Sequence, residues 1–260
     1  MMIVKNLVLY ILGRPIFQKI VLINYKLTVR ALGYDNHESV ALTGEKFFIN
    51  KISKEGIKIS LDIGANYGKY SEEILKKTNS KVYAFEPLKK CHKKLEEIQV
   101  KFGERLKIFH YAIGDVNENA EIQYADSNTE LASIFKDVNQ INYINNDKRQ
   151  KIIIKTLDSL LDDGTFCDFE KIDLIKIDTE GYEYRVLQGM QKVLENMRPK
   201  YIQIENNWHQ LIVNKSIYQI SKLLPNYDLY QLLPHGMIKR NPILPESNIF
   251  RYSNFVFVRK

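Results

Sequence analysis

The sequence predicts an α/β fold: a seven-stranded, mostly parallel sheet with helices on both faces, preceded by a helical extension and carrying an inserted strand pair. Three observations lead there. The apolar run Ile59-Ser60-Leu61-Asp62-Ile63 breaks into a glycine-bearing turn and then a helix-like stretch from Tyr70 to Lys77, the punctuation of a parallel β-turn-α unit. A second strand, Lys81 to Phe85, follows and ends at the acidic Glu86 before Pro87. Beyond it, apolar runs of strand length keep alternating with charged, helix-compatible segments, as a parallel sheet requires.

With 260 residues, 45% hydrophobic and 27% charged, the chain has the composition of a globular protein and the length for one substantial core. Residues 1–40 read as an N-terminal helical extension and 41–260 as the α/β domain. Cys91 and Cys167 lie far apart, with no CxxC and no His/Cys cluster, so both read as ordinary reduced thiols. The formal charge of +7 permits anionic partners without identifying any. Met2 to Leu12 is apolar apart from Lys5 and Asn6, but Arg14-Pro15 follows at once and no small-residue cleavage pattern is present. The run is about half of the roughly 20 residues a membrane span needs, so a cytoplasmic protein is expected.

From Pro15 to Leu32, apolar residues interleave with Lys19, Lys26 and Arg30 as in an amphipathic helix. Two readings stand: a helix that caps the domain or packs in a homodimer, and a basic helix resting on the inner face of a membrane or on a lipid-linked substrate. After the Glu86 strand, Leu88 to Phe102 is helix-compatible and Leu106 to Ile113 reads as one strand ending at Gly114-Asp115. Glu121 to Tyr124 and Lys151 to Thr156 look like a strand pair flanking a glycine-free polar stretch, Ala125 to Gln150, expected to be a mobile lid or substrate loop. A helix starts near Thr156, with Asp158 or Ser159 at its cap. Ile172 to Asp178 is a core strand, Arg185 to Asn196 a helix, Pro199 to Glu205 a strand and Ser216 to Leu224 a helix. Tyr227 to Leu232 and Asn254 to Val258 close the sheet.

Gly64 and Gly68 permit a tight turn and close backbone approach to a ligand, and unpaired N–H groups at the helix start would favour an anionic group. That group is a dinucleotide pyrophosphate or the carboxylate of S-adenosylmethionine. Glu86, about 20 positions past the turn, is placed to hold ribose hydroxyls in either case. The turn reads GANYG and lacks the closely spaced first glycine pair of GxGxxG, which weakens the dinucleotide reading.

DIGANYG at 62–68 and FEP at 85–87 are followed by Ala112-Ile113-Gly114-Asp115, TLDSL at 156–160, KIDTEGYE at 176–183, the Ile204-Glu205 strand end and a terminal Ser253-Asn254-Phe255-Val256. In that order, over about residues 40 to 258, the chain resembles the FkbM family of methyltransferases. The resemblance implies a class I, Rossmann-like methyltransferase fold, S-adenosylmethionine as donor, and mostly O-methylation in bacterial glycan, lipid or secondary-metabolite pathways. By position it puts Gly64, Ala65, Asn66 and Gly68 on the methionine moiety, Glu86 on the ribose, and Asp115 with Ile113 and Gly114 on the adenine side. Asp62 and Asp178 join the cofactor-binding set.

Methyl transfer from a sulfonium is an in-line displacement, so positioning supplies much of the acceleration. A hydroxyl acceptor must lose its proton, which calls for a base or a cation beside it. Asp178, Glu180 and Glu205 sit at strand ends where they can converge, Gly181 allows the sharp turn, and His209 is a further candidate base. The three carboxylates can bind the acceptor directly or hold a divalent cation such as Mg²⁺. Glu183 reads instead as a cap of the following helix. Tyr182, Tyr184 and Trp208 are candidates for a sugar-stacking surface, with core packing as the alternative.

A nucleic-acid methyltransferase is set aside. Asp178-Thr179-Glu180-Gly181 stands where amino-group methyltransferases carry an Asn/Asp-Pro-Pro-aromatic motif, and the lysines are scattered. A non-catalytic cofactor-binding protein is opposed by the joint presence of Glu86, Asp178, Glu180 and Glu205. The expected partners are S-adenosylmethionine and a small-molecule or glycan acceptor.

Overall fold

The computed structural model describes residues 2–37, 39, 41–141, 144–166, 168 and 170–260, so Cys167 lies outside the described residues. Two helices, α1 (Met2–Leu12) and α2 (Gln18–Ala31), flank a 3-10 turn at Pro15–Phe17. The α/β elements then follow in order: α3 (Glu45–Ser53), β1 (Ile59–Ile63), α4 (Lys69–Lys77), β2 (Lys81–Phe85), α5 (Lys89–Phe102) and β3 (Leu106–Phe109). Next come β4 (Ala112–Ile113), β5 (Glu118–Ala125), β6 (Asn128–Ser133), β7 (Lys148–Lys155), α6 (Leu157–Asp162) and β8 (Leu174–Ile177). The chain continues through α7 (Glu183–Gln188), α8 (Gln191–Asn196), β9 (Tyr201–Asn206), α9 (His209–Ile212) and α10 (Ile217–Lys222). It ends in β10 (Tyr227–Leu233), β11 (Gly236–Lys239) and β12 (Ser253–Arg259).

The main sheet runs β3-β2-β1-β8-β9-β12-β10-β11. From β3 to β9 the neighbours are parallel, while β12 is antiparallel to both β9 and β10. Every residue of β1 is buried, as expected of a strand covered on both faces. Phe48, Ile52, Ile74, Leu75, Leu95 and Ile98 of α3, α4 and α5 pack with Val82 and Ala84 on one side. Leu157, Leu160, Val186, Leu187, Val193 and Ile217 pack with Leu61, Ile63, Ile177 and Ile204 on the other. The expected α/β sheet with helices on both faces is therefore present. It gains one strand, β11, a short edge piece paired to β10 whose four residues, Gly-Met-Ile-Lys, are too few to set an alternating pattern.

The region between β3 and α6 differs from expectation. The single strand expected over Leu106 to Ile113 is two strands in different sheets, because β4 leaves β3 and pairs with β7. The expected strand pair belongs to a second sheet of four, β4-β7-β5-β6. The polar stretch expected to be a mobile loop contains β6 and a 3-10 turn at Lys136–Gln140, and its residues 142 and 143 lie outside the described residues. A strand was hidden there because its inward side chains are polar: Thr129 and Ser133 are buried and satisfied by hydrogen bonds to Asn66 Oδ1 and to the Glu180 carbonyl.

Two helix boundaries also move. The cap of α6 is Thr156, whose hydroxyl accepts from Ser159 N–H at 3.0 Å, while Asp158 accepts from Val193 N–H of α8 instead. The helix expected from Arg185 to Asn196 breaks at Gly189, where a Cβ would lie 1.9 Å from the Gly114 carbonyl oxygen. Among the described residues no helix is long and apolar enough to cross a membrane.

Candidate active site

The C-terminal ends of β1, β2, β8 and β9 open into one cavity of about 1200 Å³, the position at which open α/β sheets bind ligands. One half is built by the glycine turn. Gly64 has φ +81°, and a Cβ there would lie 1.8 Å from the Asp178 carbonyl oxygen, so only glycine lets the first turn pass under the end of β8. Gly68, at φ +77°, lies against Leu95 and Ile98 of α5, which seats α4 on its neighbour.

Four N–H groups of this turn are taken up within the fold. Gly64 and Ala65 donate to the Phe85 carbonyl, Gly68 to the Ala65 carbonyl, and Asn66 to Glu86 Oε2 at 2.7 Å. Glu86 Oε1 accepts from Leu88 N–H at 2.8 Å. The Glu86 carboxylate therefore clamps the turn to the end of β2 while lining the cavity. Burial pushes its pKa up to about 7, against the two N–H groups that favour the charged form. Asp62 also lines the cavity. Its Oδ2 accepts from the Ser71 hydroxyl at 2.6 Å, and its Oδ1 is buried with no partner among the described residues.

Of the residues expected on the adenine side, Ile113 lines the cavity. Gly114 and Asp115 are not on its wall: Gly114 is pressed against the Tyr182 ring and Ile154, and the Asp115 carboxylate is held by Arg185 at 2.9 Å.

The opposite half is acidic. Asp178, Glu180 and Glu205 each present a carboxylate oxygen within 4.8 Å of the others, so the convergence expected from their strand-end positions is realised. Glu180 has φ +51° and Gly181 φ +104°, a turn that swings the Glu180 side chain back over the strand ends. The turn is tied by Glu183, which accepts from Thr179 N–H, the Thr179 hydroxyl and Gly181 N–H. Buried at the first position of α7, Glu183 has its pKa pushed up to about 7 by burial, and it organises the loop much as a cap would.

Glu205 is driven well above the usual carboxylate range by burial and by the charges of Asp178 and Glu180. Glu180 is raised as well, chiefly by burial, with His209 opposing. His209 Nδ1 contacts Glu180 Oε2, and its buried Nε2 has no partner among the described residues. Burial opposes charge on the imidazole, but Glu180 outweighs it and raises the pKa. Asn207 bridges Glu180 and Glu205 through its amide at 2.9 and 3.0 Å.

Several cavity residues carry no signal in the sequence. Lys176 is 6% exposed, donates to Asp178 Oδ2 at 2.6 Å, and is the buried counter-charge of Asp178, Glu45 and Asp62. Glu45, Asp35 and Tyr252 reach the cavity from segments remote in the chain; for Lys176 alone, the alternating Lys-x-Asp at the end of an apolar strand is a hint. Trp208, 45% exposed, and Tyr182 line the cavity, whereas Tyr184 does not and stacks under Lys215.

A family model for the methyltransferase FkbM domain matches residues 62–228. A stretch of the AMB antimetabolite synthetase AmbE of Pseudomonas aeruginosa is 24% identical, covering 62% of this chain and 9% of that much longer protein. Among solved structures, an O-methyltransferase from Bacillus cereus in complex with SAH is similar at a TM-score of 0.46 and 15% identity, over 94% of this chain and 90% of that one. TomG, an O-methyltransferase from Streptomyces achromogenes in complex with SAM, is similar at 0.43 and 7% identity, over 84% and 79%.

Proposed function

As the chain belongs to the FkbM methyltransferase family, we propose that it transfers the methyl group of S-adenosylmethionine to a hydroxyl of a sugar, glycan or related metabolite. The observation that carries this reading is that one cavity joins the glycine turn, Asp62 and Glu86 to the acidic cluster of Asp178, Glu180 and Glu205. The residues fit the donor. The unpartnered Asp62 Oδ1 suits the ammonium of the methionine moiety, and Glu86 suits the ribose hydroxyls, since each of its oxygens keeps acceptor capacity beyond the N–H it binds.

When bound, S-adenosylmethionine supplies an electrophilic methyl on a sulfonium; the chain's residues have to orient the acceptor and take its proton. Glu205, raised well above the usual range by burial and by the neighbouring carboxylates, favours its protonated form, which is suited to donating a hydrogen bond to the acceptor. Asp178, with Lys176 beside it, is the group we assign to receive the hydroxyl proton as the C–O bond forms. His209 and Glu180, in mutual contact, fix the other wall.

Isothermal titration with S-adenosylhomocysteine, run beside NAD, tests the donor. Micromolar binding of the homocysteine compound alone is expected, weakened about tenfold or more in Glu86→Ala by loss of a charge-assisted contact. Binding of NAD instead, or of neither compound by the folded chain, overturns the assignment.

The spacing of Asp178, Glu180 and Glu205 favours a second reading, in which a hard divalent cation sits between them and lowers the pKa of the acceptor hydroxyl. Such a cation would favour the charged form of Glu205. Thermal melting with Mg²⁺ and with EDTA separates the two. A rise in Tm with millimolar Mg²⁺ that Asp178→Asn removes supports the metal; identical curves leave direct acceptor binding.

A further inference from the structure

The N-terminal helices present an apolar surface that the α/β domain leaves uncovered. Ile16, Ile20, Ile23 and Leu27 are 78%, 54%, 59% and 61% exposed, and Val29 is the only buried residue of α2. At helical spacing, Val21 and Val29 form the domain side of α2, and Tyr25 on the same side lies under the Arg251 guanidinium. Ile20, Ile23 and Leu27 form an outward row, and Lys19, Lys26 and Arg30, seven and four residues apart, form the stripe beside it. The first 34 residues contain five Lys and Arg and no Asp or Glu.

We propose that α2, with α1, lies on an anionic lipid surface, its outward row in the acyl boundary and its basic stripe among the headgroups. A polar face rich in lysine beside a row of large aliphatic side chains is the pattern of interfacial helices. The helices have 11 and 14 residues, which at the helical rise gives about 16 and 21 Å, short of the roughly 30 Å hydrocarbon core. They are broken at Arg14-Pro15, so they lie along the surface. A second copy of this chain is the poorer occupant. Pairing of the same face about a two-fold axis would bring one basic stripe against another without an acid on either side.

The end of α2 is fixed to the site. The Gly33 carbonyl accepts from the Ser253 hydroxyl at 2.9 Å, the Tyr34 hydroxyl donates to the Glu246 carbonyl at 2.6 Å, and Asp35 N–H donates to the Tyr252 carbonyl at 2.9 Å. Asp35 and His37 then line the cavity. Docking of α2 holds the cavity close to the bilayer, and, resting on the methyl-transfer reading, this assigns a lipid-linked acceptor.

The test needs neither donor nor acceptor. The full chain is sedimented with vesicles of phosphatidylcholine alone and of phosphatidylcholine with phosphatidylglycerol, at low salt and at about 0.5 M NaCl. Expected is partition to the anionic vesicles only, reduced by salt. It should weaken on the order of tenfold or more in Lys19→Gln/Lys26→Gln and be lost in Ile23→Gln/Leu27→Gln, both variants keeping the parent melting temperature. Failure of the folded chain to bind anionic vesicles, or equal binding by both variants, overturns the proposal. So does a concentration-dependent dimer, seen by sedimentation velocity without vesicle binding and split by Ile23→Gln/Leu27→Gln, which would assign the face to a second copy.

Discussion

Glu86 and Glu183 are carboxylates placed where water does not reach, each 4% exposed or less, and burial pushes each up to about 7. An acid whose pKa is higher folded than unfolded binds protons more readily in the folded state. Its stabilising protonated form is fully present below about 4.5, and stability falls as pH rises towards 7. Each group accounts for about 3 kcal/mol across that window, and His209, charged more readily beside Glu180, adds in the same direction. Urea denaturation is expected to give a lower unfolding free energy at pH 7.5 than at pH 5. The difference should shrink in Glu86→Gln; an unchanged difference would take Glu86 out of the account. Lys176 is the converse case. Burial disfavours its charge, yet Asp178, Glu45 and Asp62 hold it well above the usual lysine value. Lys176→Met leaves those carboxylates uncompensated and is expected to cost about 3–5 kcal/mol at pH 7.5 by urea denaturation, with a smaller loss at pH 5.

At the scale of elements, the site depends on how closely β1 and β8 finish. The Gly64 turn passes 1.8 Å, measured from a would-be Cβ, from the Asp178 carbonyl oxygen, so the donor half and the acidic half are set by one backbone contact. Gly64→Ala combines a left-handed φ with this clash and is expected to lose about 3 kcal/mol or more. Gly56→Ala, at φ +68° with nothing within 4 Å, is expected to lose only about 1 kcal/mol. Equal losses, read from paired denaturation curves, would mean that conformation rather than contact governs both. The second sheet is joined to the same turn through the Thr129 hydroxyl and Asn66 Oδ1 at 3.1 Å. The inserted strands thereby become a wall of the cavity, lined by Asn128 to Ala132.

For the whole molecule, the division of labour lies between a folded α/β body and the helices ahead of it. Val8 to Ile16 bury no side chain, so Leu9→Ser with Tyr10→Ser is expected to leave the melting temperature within about 2 °C. A larger drop would show that α1 contributes to the body. From Gly33 onward the chain belongs to the core: Tyr34 is fully buried and packs on Phe255.

Strand-length apolar runs, the glycine turn and the acids closing β2, β8 and β9 were legible in the sequence, because burial on both faces of a sheet imposes long-lived local patterns and a tight turn demands glycine. The strand order, the place of the polar β6 and the break at Gly189 were not, since they depend on partners far along the chain. The charge states were not legible either. Glu86, Glu183 and Glu205 are acids like any others in a sequence, and Lys176 is one lysine among many; only tertiary packing removes water from them and sets them against one another. The residue types were therefore determined locally, while the cavity and the charge states of its walls were decided by which strand ends the fold brings together.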